Sequence, residues 1–292
     1  MDKVARARKG LLVYFAALLP LSGAVEICML RRASSIAEQP GLVAALMWTP
    51  ALAALVARLV LREGFGDVSF RLGTRRAWGY LMAWLFPVAV GLLAYGTGWT
   101  TGLVELAVPE SSSPALAASP AALFALKLLV QMTLGALVGS VLAAGEELGW
   151  RGYMLTRLID AGLPRPVLLS ALIWGVWHAP LILSGQYASG GSPLLSTVVF
   201  LVTVVAITYL FSRLRLETGS VWPAVLAHGA WNAVIQGVFD RFSELPNRWI
   251  GESGLLTAVF TLGLVFLLVR GRWSVRRKPL DEPEEVPALA TW

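Results

Sequence analysis

Residues 121–151 read AALFALKLLVQMTLGALVGSVLAAGEELGWR, and this stretch decides what kind of fold the chain can form. Between Lys127 and Glu146 lie 18 consecutive residues without a charge, which is close to the about 20 residues that cross a bilayer as a helix. A surface helix of a soluble domain would present one polar face to water instead. The stretch therefore predicts a transmembrane helix that ends in two adjacent carboxylates.

The composition of the whole chain agrees with this prediction. Of its 292 residues, 57% are hydrophobic and only 14% are charged, and the mean hydropathy is +0.68. These values exclude a soluble globular enzyme and a disordered chain. The net charge of +6 does not indicate a nucleic-acid partner, because Lys and Arg occur in short clusters between apolar runs. We expect an all-α polytopic membrane protein whose surroundings are the lipid bilayer, with no nucleic acid among its partners.

Eight apolar runs are long enough to span a membrane as helices. They lie at approximately 11–30, 41–61, 77–99, 121–147, 167–183, 194–212, 221–239 and 255–270. We see no internal repeat and no second soluble domain. The sequence thus predicts about eight transmembrane helices in a single membrane domain over residues 1–292, with a polar, Pro-rich and disordered tail at about 274–292.

The distribution of Lys and Arg predicts the orientation of these helices. If the N-terminus is cytoplasmic, the loops and ends on that side carry 18 Lys and Arg residues and the opposite side carries 4. Cytoplasmic loops are enriched in these residues. We therefore expect both termini in the cytoplasm.

Small residues predict close helix packing at the fourth span. Two Gly-x-x-x-Gly pairs occur there, a spacing that lets another helix approach the backbone. The pairs are Gly135 with Gly139 and Gly145 with Gly149.

Ionisable side chains inside a span need an explanation, because each costs at least about 2.5 kcal/mol to insert. Glu26, Arg58 and Lys127 lie near span ends, where either the reach of the side chain to the polar membrane surface or a slightly different span boundary explains them structurally. The other polar residues of interest fall on three spans, and they include both histidines of the chain. They are Glu146, Glu147 and Arg151, then Trp174 and His178, then His228 and Asn232.

Helical geometry predicts how these residues are arranged. Glu147 and Arg151 are four residues apart on one helix face and can form an ion pair. Glu146 is turned about 100° away from Glu147, so the two carboxylates are expected to do different jobs. His228 and Asn232 are also four residues apart and point to one place.

Trp174 precedes His178 by one helical turn, where it is expected to line the site or hold the imidazole ring. Counted along the helices at about 1.5 Å per residue, Glu146, His178 and His228 lie at compatible depths within the membrane. The three spans can therefore converge on one polar intramembrane cavity.

Three motifs, at residues 146–151, 174–178 and 228–232 in that order, resemble those of the CAAX prenyl endopeptidases and their bacterial relatives, the CPBP intramembrane proteases. The resemblance covers about residues 121–240, and Trp174 stands where the family usually has Phe. It implies an eight-helix membrane endopeptidase, in a bacterial plasma membrane, whose site opens toward the cytoplasm. Its substrate would be a membrane-anchored, CAAX-like peptide or protein. The motifs are Glu146-Glu147-x-x-x-Arg151 followed by Gly-Tyr-Met-Leu, Trp174-x-x-x-His178 followed by Ala-Pro, and His228-x-x-x-Asn232.

Peptide hydrolysis needs an activated water and donors for the developing oxyanion. We expect Glu146 to act as the base, with His178 orienting or deprotonating the same water. His228 and Asn232 then supply donors to the oxyanion, as the resemblance also implies. Glu147, held by Arg151, supports the site, and no cofactor is required.

Alternatives remain at this point. A zinc protease could use Glu146, His178 and His228 as ligands, although the sequence has no His-Glu-x-x-His motif. A non-catalytic membrane scaffold, or a binding protein of the bacteriocin-immunity type, could use the same cavity to recognise a helix. A transporter is disfavoured, since the chain lacks repeat halves.

Overall fold

The computed structural model describes residues 2–32, 34–68, 70–72, 77–188 and 190–270. In these ranges the chain is helical and contains no β-strand beyond one isolated bridge between Leu106 and Ser243. The disordered tail expected at about 274–292 lies outside the described residues. The principal helices are α1 (Lys3–Arg32), α2 (Pro40–Leu61), α3 (Ala77–Thr101), α4 (Pro120–Asp160), α5 (Pro166–Leu183), α6 (Pro193–Thr218), α7 (Trp222–Trp231) and α8 (Leu255–Val269).

Three segments of the described chain are π-helical rather than α-helical. Two interrupt α4, and the third continues α7 without a break. Such wide turns are rare and are often found at functional sites. The segments are Gln131–Gly135, Trp150–Met154 and Asn232–Phe239.

Each of the eight predicted spans falls on one principal helix. The helices α1 to α6 are long and apolar enough to cross a membrane. The helix α8 has 15 residues and a length of about 22 Å, less than the hydrocarbon core of about 30 Å. The prediction of an all-α polytopic membrane protein is confirmed, whereas the number of eight spans stays a prediction.

The helix α7 occupies a central position, where it packs against α3, α4 and α6. Its buried residues include Ala224, Ala227 and Ala230, none of which is exposed. Small side chains allow the close van der Waals packing that holds helices together in a membrane. The sequence of α7 thus places His228 deep within the helix bundle.

The predicted close approach at the glycine pairs is seen in the structure. A Cβ atom on Gly139 would lie 2.6 Å from the carbonyl oxygen of Gly229, and one on Gly229 would meet the backbone of Ser140. The backbones of α4 and α7 therefore touch directly. On the same helix, a Cβ on Gly145 would lie 2.5 Å from the Met47 carbonyl oxygen in α2.

The charge of Arg58 is compensated by a buried ion pair near the end of α2. Its side chain is 2% exposed and pairs with Asp67 at 2.6 Å. The segment after α2 folds back over the end of this helix and brings in carboxylates, which also pair with Arg157. A buried counter-charge therefore takes the place of water around the guanidinium group. Lys127, by contrast, is exposed on α4.

We predict that Gly229→Ala lowers the stability of the protein by about 1–3 kcal/mol, because backbone atoms cannot move aside to admit the methyl group. Thermal unfolding in lipid nanodiscs measures the effect. Gly23→Ala is the matched control, since a Cβ there meets nothing within 4 Å and Ala favours a helix by about 1 kcal/mol over Gly. Identical melting of the two variants would contradict direct contact between α4 and α7.

Candidate functional site

A cavity of about 100 Å³ lies between the helices and is lined by all four predicted catalytic residues. Glu146 comes from α4, His178 from α5, and His228 and Asn232 from α7 and its π-helical continuation. Trp174 of α5 lines the same cavity. The space suffices for several water molecules. The structure therefore brings the three sequence motifs to one polar site.

The cavity lies well inside the bundle. Counted from the first residue of its helix, His178 is about 18 Å along α5 and His228 about 9 Å along α7. Both helices begin on the predicted cytoplasmic side. The depths are compatible with the predicted intramembrane site.

The carboxylate of Glu146 is held by two indole groups. Its Oε2 atom accepts hydrogen bonds from Trp174 Nε1 at 2.7 Å and from Trp150 Nε1 at 3.2 Å. Its Oε1 atom accepts none from the described residues. Two donors on one oxygen fix the orientation of the carboxylate and leave the other oxygen available to a water molecule.

The carboxylate of Glu147 has a different environment. It is completely buried and does not line the cavity. Its Oε1 atom accepts from Arg151 Nη1 at 2.8 Å and faces His228 Nδ1 at 2.9 Å. The predicted ion pair with Arg151 is thus present, and it reaches further than expected, because the same oxygen binds the ring of His228.

Arg151 connects Glu147 to two other helices. Its Nη2 atom donates to Thr208 Oγ1 of α6 at 3.1 Å. Its guanidinium carbon lies 4.2 Å from the ring centroid of Trp174 in α5. A buried guanidinium group is stabilised by such hydrogen bonds and by the face of an aromatic ring. The arginine therefore fixes the positions of α4, α5 and α6 around the cavity.

Trp174 lies at the centre of these contacts. Its indole N–H binds Glu146 and its ring contacts both imidazoles, at 5.6 Å from His178 and 5.4 Å from His228 between centroids. The expectation that it lines the site agrees with this geometry. A phenylalanine in its place would keep the ring contacts but lose the hydrogen bond to Glu146.

The hydrogen bonds of the two histidines define their tautomers. His178 Nδ1 donates to the backbone oxygen of Trp174 at 2.9 Å, so in the neutral ring the lone pair is on Nε2. His228 Nδ1 donates to the carboxylate of Glu147. It follows that His228 can also donate through Nε2 only when the ring carries both protons.

The π-helical turn keeps three polar side chains in line. Asn232 begins this segment, and Gln236 lies four residues further on and also lines the cavity. In an α-helix a step of four residues rotates slightly more than a full turn, by about 40°. A π-helical turn contains more residues, so the same step rotates slightly less than a full turn. The two deviations offset each other, and Gln236 shares the face of His228 and Asn232.

Glu252 lines the same cavity with Tyr187 and Ile36, and it was not predicted from the sequence. Glu252 lies between α7 and α8, accepts a hydrogen bond from the Tyr187 hydroxyl, and is 8% exposed. No periodicity or spacing relates it to the three motifs. A carboxylate in a segment between two apolar runs gave the only signal, and that signal is weak.

Among the described residues, no three His, Cys, Asp or Glu side chains are grouped so that they could hold a metal ion. Glu146, His178 and His228 share a cavity, but zinc bound by these three would require their side chains to be arranged differently. The Nδ1 atom of each imidazole is bonded within the protein, so a metal ion would bind these rings through Nε2.

Comparison with known families identifies the segment that carries the site. A family model described as type II CAAX prenyl endopeptidase Rce1-like matches residues 124–234. The match confirms the resemblance drawn from the three motifs, and it includes all the predicted site residues but not Glu252. No match to a curated protein was found.

We predict that Arg151→Ala lowers stability by about 3–5 kcal/mol, because it leaves Glu147 charged and buried with only His228 as a partner. Chemical or thermal unfolding in detergent measures this loss. The control is Glu217→Ala, which breaks an ion pair of the same i,i+4 spacing with Arg213 whose side chains are 18% and 20% exposed. That pair should contribute about 0.3–0.5 kcal/mol. Equal losses in the two variants would be inconsistent with a buried network around Glu147.

Proposed function

We propose that the protein is an intramembrane endopeptidase, a function supported by the match of residues 124–234 to the family model described as type II CAAX prenyl endopeptidase Rce1-like. It hydrolyses a peptide bond in a membrane-associated, CAAX-like substrate with a water molecule activated by Glu146 and His178. The observation that carries the proposal is the Glu146 carboxylate, which is fixed through one oxygen and faces a cavity shared with His178, His228 and Asn232.

The reaction begins with a water molecule between Glu146 and the substrate carbonyl. Glu146 takes a proton from this water while the water oxygen attacks the carbonyl carbon, and the carbonyl oxygen becomes an oxyanion. When the tetrahedral intermediate collapses, the carbon–nitrogen bond breaks and the leaving nitrogen receives the proton from Glu146. His178, whose Nδ1 is bound to the Trp174 carbonyl, accepts a hydrogen bond from the water through Nε2 and orients it.

The oxyanion is stabilised by His228 and Asn232. The amide of Asn232 donates a proton directly, and His228 donates through Nε2 when its ring is doubly protonated. Glu147 supports that state, because its carboxylate receives the Nδ1 proton at 2.9 Å. Glu147 and Arg151 are thus positioning residues that act through His228.

The proposed setting is a bacterial plasma membrane, with a single membrane domain and both termini in the cytoplasm. The ratio of 18 to 4 Lys and Arg residues across the predicted loops supports this orientation. It places α5 and α7 with their first residues at the cytoplasmic side. The family resemblance implies an opening toward the cytoplasm, whereas Ile36, Tyr187 and Glu252 line the cavity from connections that this orientation places on the opposite side.

We predict that Glu146→Gln abolishes cleavage without loss of folding, because glutamine keeps the shape and an acceptor for the indole donors but cannot take a proton. The assay is incubation of purified protein in lipid with membrane-anchored peptides of varied C-terminus, followed by mass spectrometry. Unchanged thermal unfolding is the control for folding. Full turnover by Glu146→Gln would refute its role as base, and an absence of cleavage by the wild type with every peptide would favour a scaffold or immunity-type binding protein.

We predict that Asn232→Ala lowers turnover by about 10² to 10³-fold, the usual effect of removing one oxyanion donor. Single-turnover rates in the same peptide assay measure the effect, and Gln236→Ala tests whether any polar deletion on this helix face does the same. A loss in Asn232→Ala no larger than that in Gln236→Ala would argue against an oxyanion role.

Metal analysis of active, chelator-treated protein decides between the metal-free reaction and the zinc alternative. In a zinc site Glu146, His178 and His228 would be ligands, and the metal would polarise the carbonyl and supply the activated water. We expect full activity after chelation. Stoichiometric zinc whose removal stops cleavage and whose return restores it would overturn the metal-free mechanism.

A further inference from the structure

The carboxylate of Glu252 is held inside the cavity by neutral groups. It accepts hydrogen bonds from Trp231 Nε1 at 2.7 Å, from Gln236 Nε2 at 2.9 Å and from the hydroxyl of Tyr187. One of these donors is on Oε1 and two are on Oε2, so Oε1 retains a lone pair for a further donor. No Lys or Arg of the described residues forms an ion pair with Glu252. Its charge is therefore solvated by hydrogen bonds but not neutralised.

The cavity as a whole has an excess of acidic groups. Its lining contains two carboxylates, Glu146 and Glu252, while no Lys or Arg contributes to the described walls. Most of the remaining lining is aromatic or aliphatic, which gives a low local dielectric and strengthens charge interactions. The faces of aromatic rings also attract cations. Such surroundings favour a positively charged group over an anionic one.

A second carboxyl group behind Glu252 adds to this imbalance. Tyr95 donates its hydroxyl proton to Asp240 and accepts from the backbone N–H of Gly251, next to Glu252. Burial, with a smaller contribution from the Glu252 charge, raises the pKa of Asp240 to about 7, against the opposing effects of the Tyr95 hydrogen bond and of Arg241. The surroundings of Glu252 thus contain another acid, Asp240.

Glu252 is close to the proposed reacting groups. Tyr187, which donates to Glu252, has its ring centroid 5.9 Å from that of His178. Gln236, which also donates to Glu252, lies one turn from Asn232. A peptide advances by about 3.3–3.6 Å per residue. A substrate side chain that reaches Glu252 therefore belongs to a residue within one or two positions of the scissile bond.

We propose that Glu252 is a specificity residue that recognises a Lys or Arg side chain of the substrate within one or two residues of the scissile bond. The inference rests on the proposed endopeptidase function and specifies its substrate. The cationic group donates to Oε1 of Glu252 and packs against the aromatic walls of the cavity. Glu252 lies outside the segment that matches the family.

The experiment uses pairs of membrane-anchored peptides that differ only in lysine or acetyl-lysine at one position near the cleavage site. We expect the wild type to cleave the lysine peptide with a kcat/KM about 10-fold or more above that of its acetylated partner, the usual gain from a hydrogen bond to a charged group. In Glu252→Gln this ratio should fall to about one. Glu244→Gln, a change at an exposed glutamate of the same segment, should leave the ratio unchanged.

A purely structural role of Glu252 gives a different result. In that case the substitution lowers kcat/KM for both peptides in parallel and the ratio persists, which would overturn the proposal. If Glu252→Gln does not fold, the proposal is still tested by the wild type alone, because the absence of a lysine preference in the wild type refutes it.

Binding to the inactive Glu146→Gln variant separates this proposal from the proposed function. Fluorescence anisotropy of labelled peptides in nanodiscs should show tighter binding of the lysine peptide, and the double variant Glu146→Gln/Glu252→Gln should lose this difference. Selective binding without cleavage by the wild type would uphold the recognition site and refute the endopeptidase. Cleavage without lysine preference would uphold the endopeptidase and refute the recognition site. The absence of both cleavage and selective binding would refute both proposals.

Discussion

The shared oxygen of Glu147 is the contact on which the arrangement of the site depends. A carboxylate that is completely buried in a membrane protein must be compensated, because an unpaired charge there costs several kcal/mol. Arg151 and His228 supply the compensation through the same atom, at 2.8 and 2.9 Å. Since Arg151 is on α4 and His228 on α7, these two helices can adopt only one register relative to each other.

This register in turn requires that the two helices touch. Gly139 and Gly229 bring the backbones of α4 and α7 into direct contact. His228 immediately precedes Gly229 in α7 and therefore lies at this contact. A larger residue at either glycine would separate the helices by more than a hydrogen bond tolerates. Packing and electrostatics thus act together, because the glycines permit the distance and the charges make it favourable.

Much of this could be predicted from the sequence, for reasons that differ by feature. The helices follow from apolar runs, and the Glu147–Arg151 pair follows from its i,i+4 spacing, since both are local properties. The bond between Glu147 and His228 joins residues 81 positions apart, and no local rule predicts it. The partner of Arg58 could not be predicted for the same reason, because Asp67 lies beyond the end of the helix, in a segment whose path the sequence does not specify. Glu252 was missed because it reaches the site from a connection without regular spacing.

The contrast between the two adjacent glutamates bears on which one can act as a base. The negative charge of Glu147 is compensated by a guanidinium group and an imidazole, and protonation of this carboxylate would leave those groups buried without their counter-charge. Glu146 is bound by two neutral indole N–H groups. Its protonation therefore weakens only these two hydrogen bonds and leaves no buried cation without a partner. Its second oxygen is also the one that a cavity water can reach. Position on the helix therefore does more than separate the two side chains: it gives one carboxylate a structural counter-ion and leaves the other able to accept a proton.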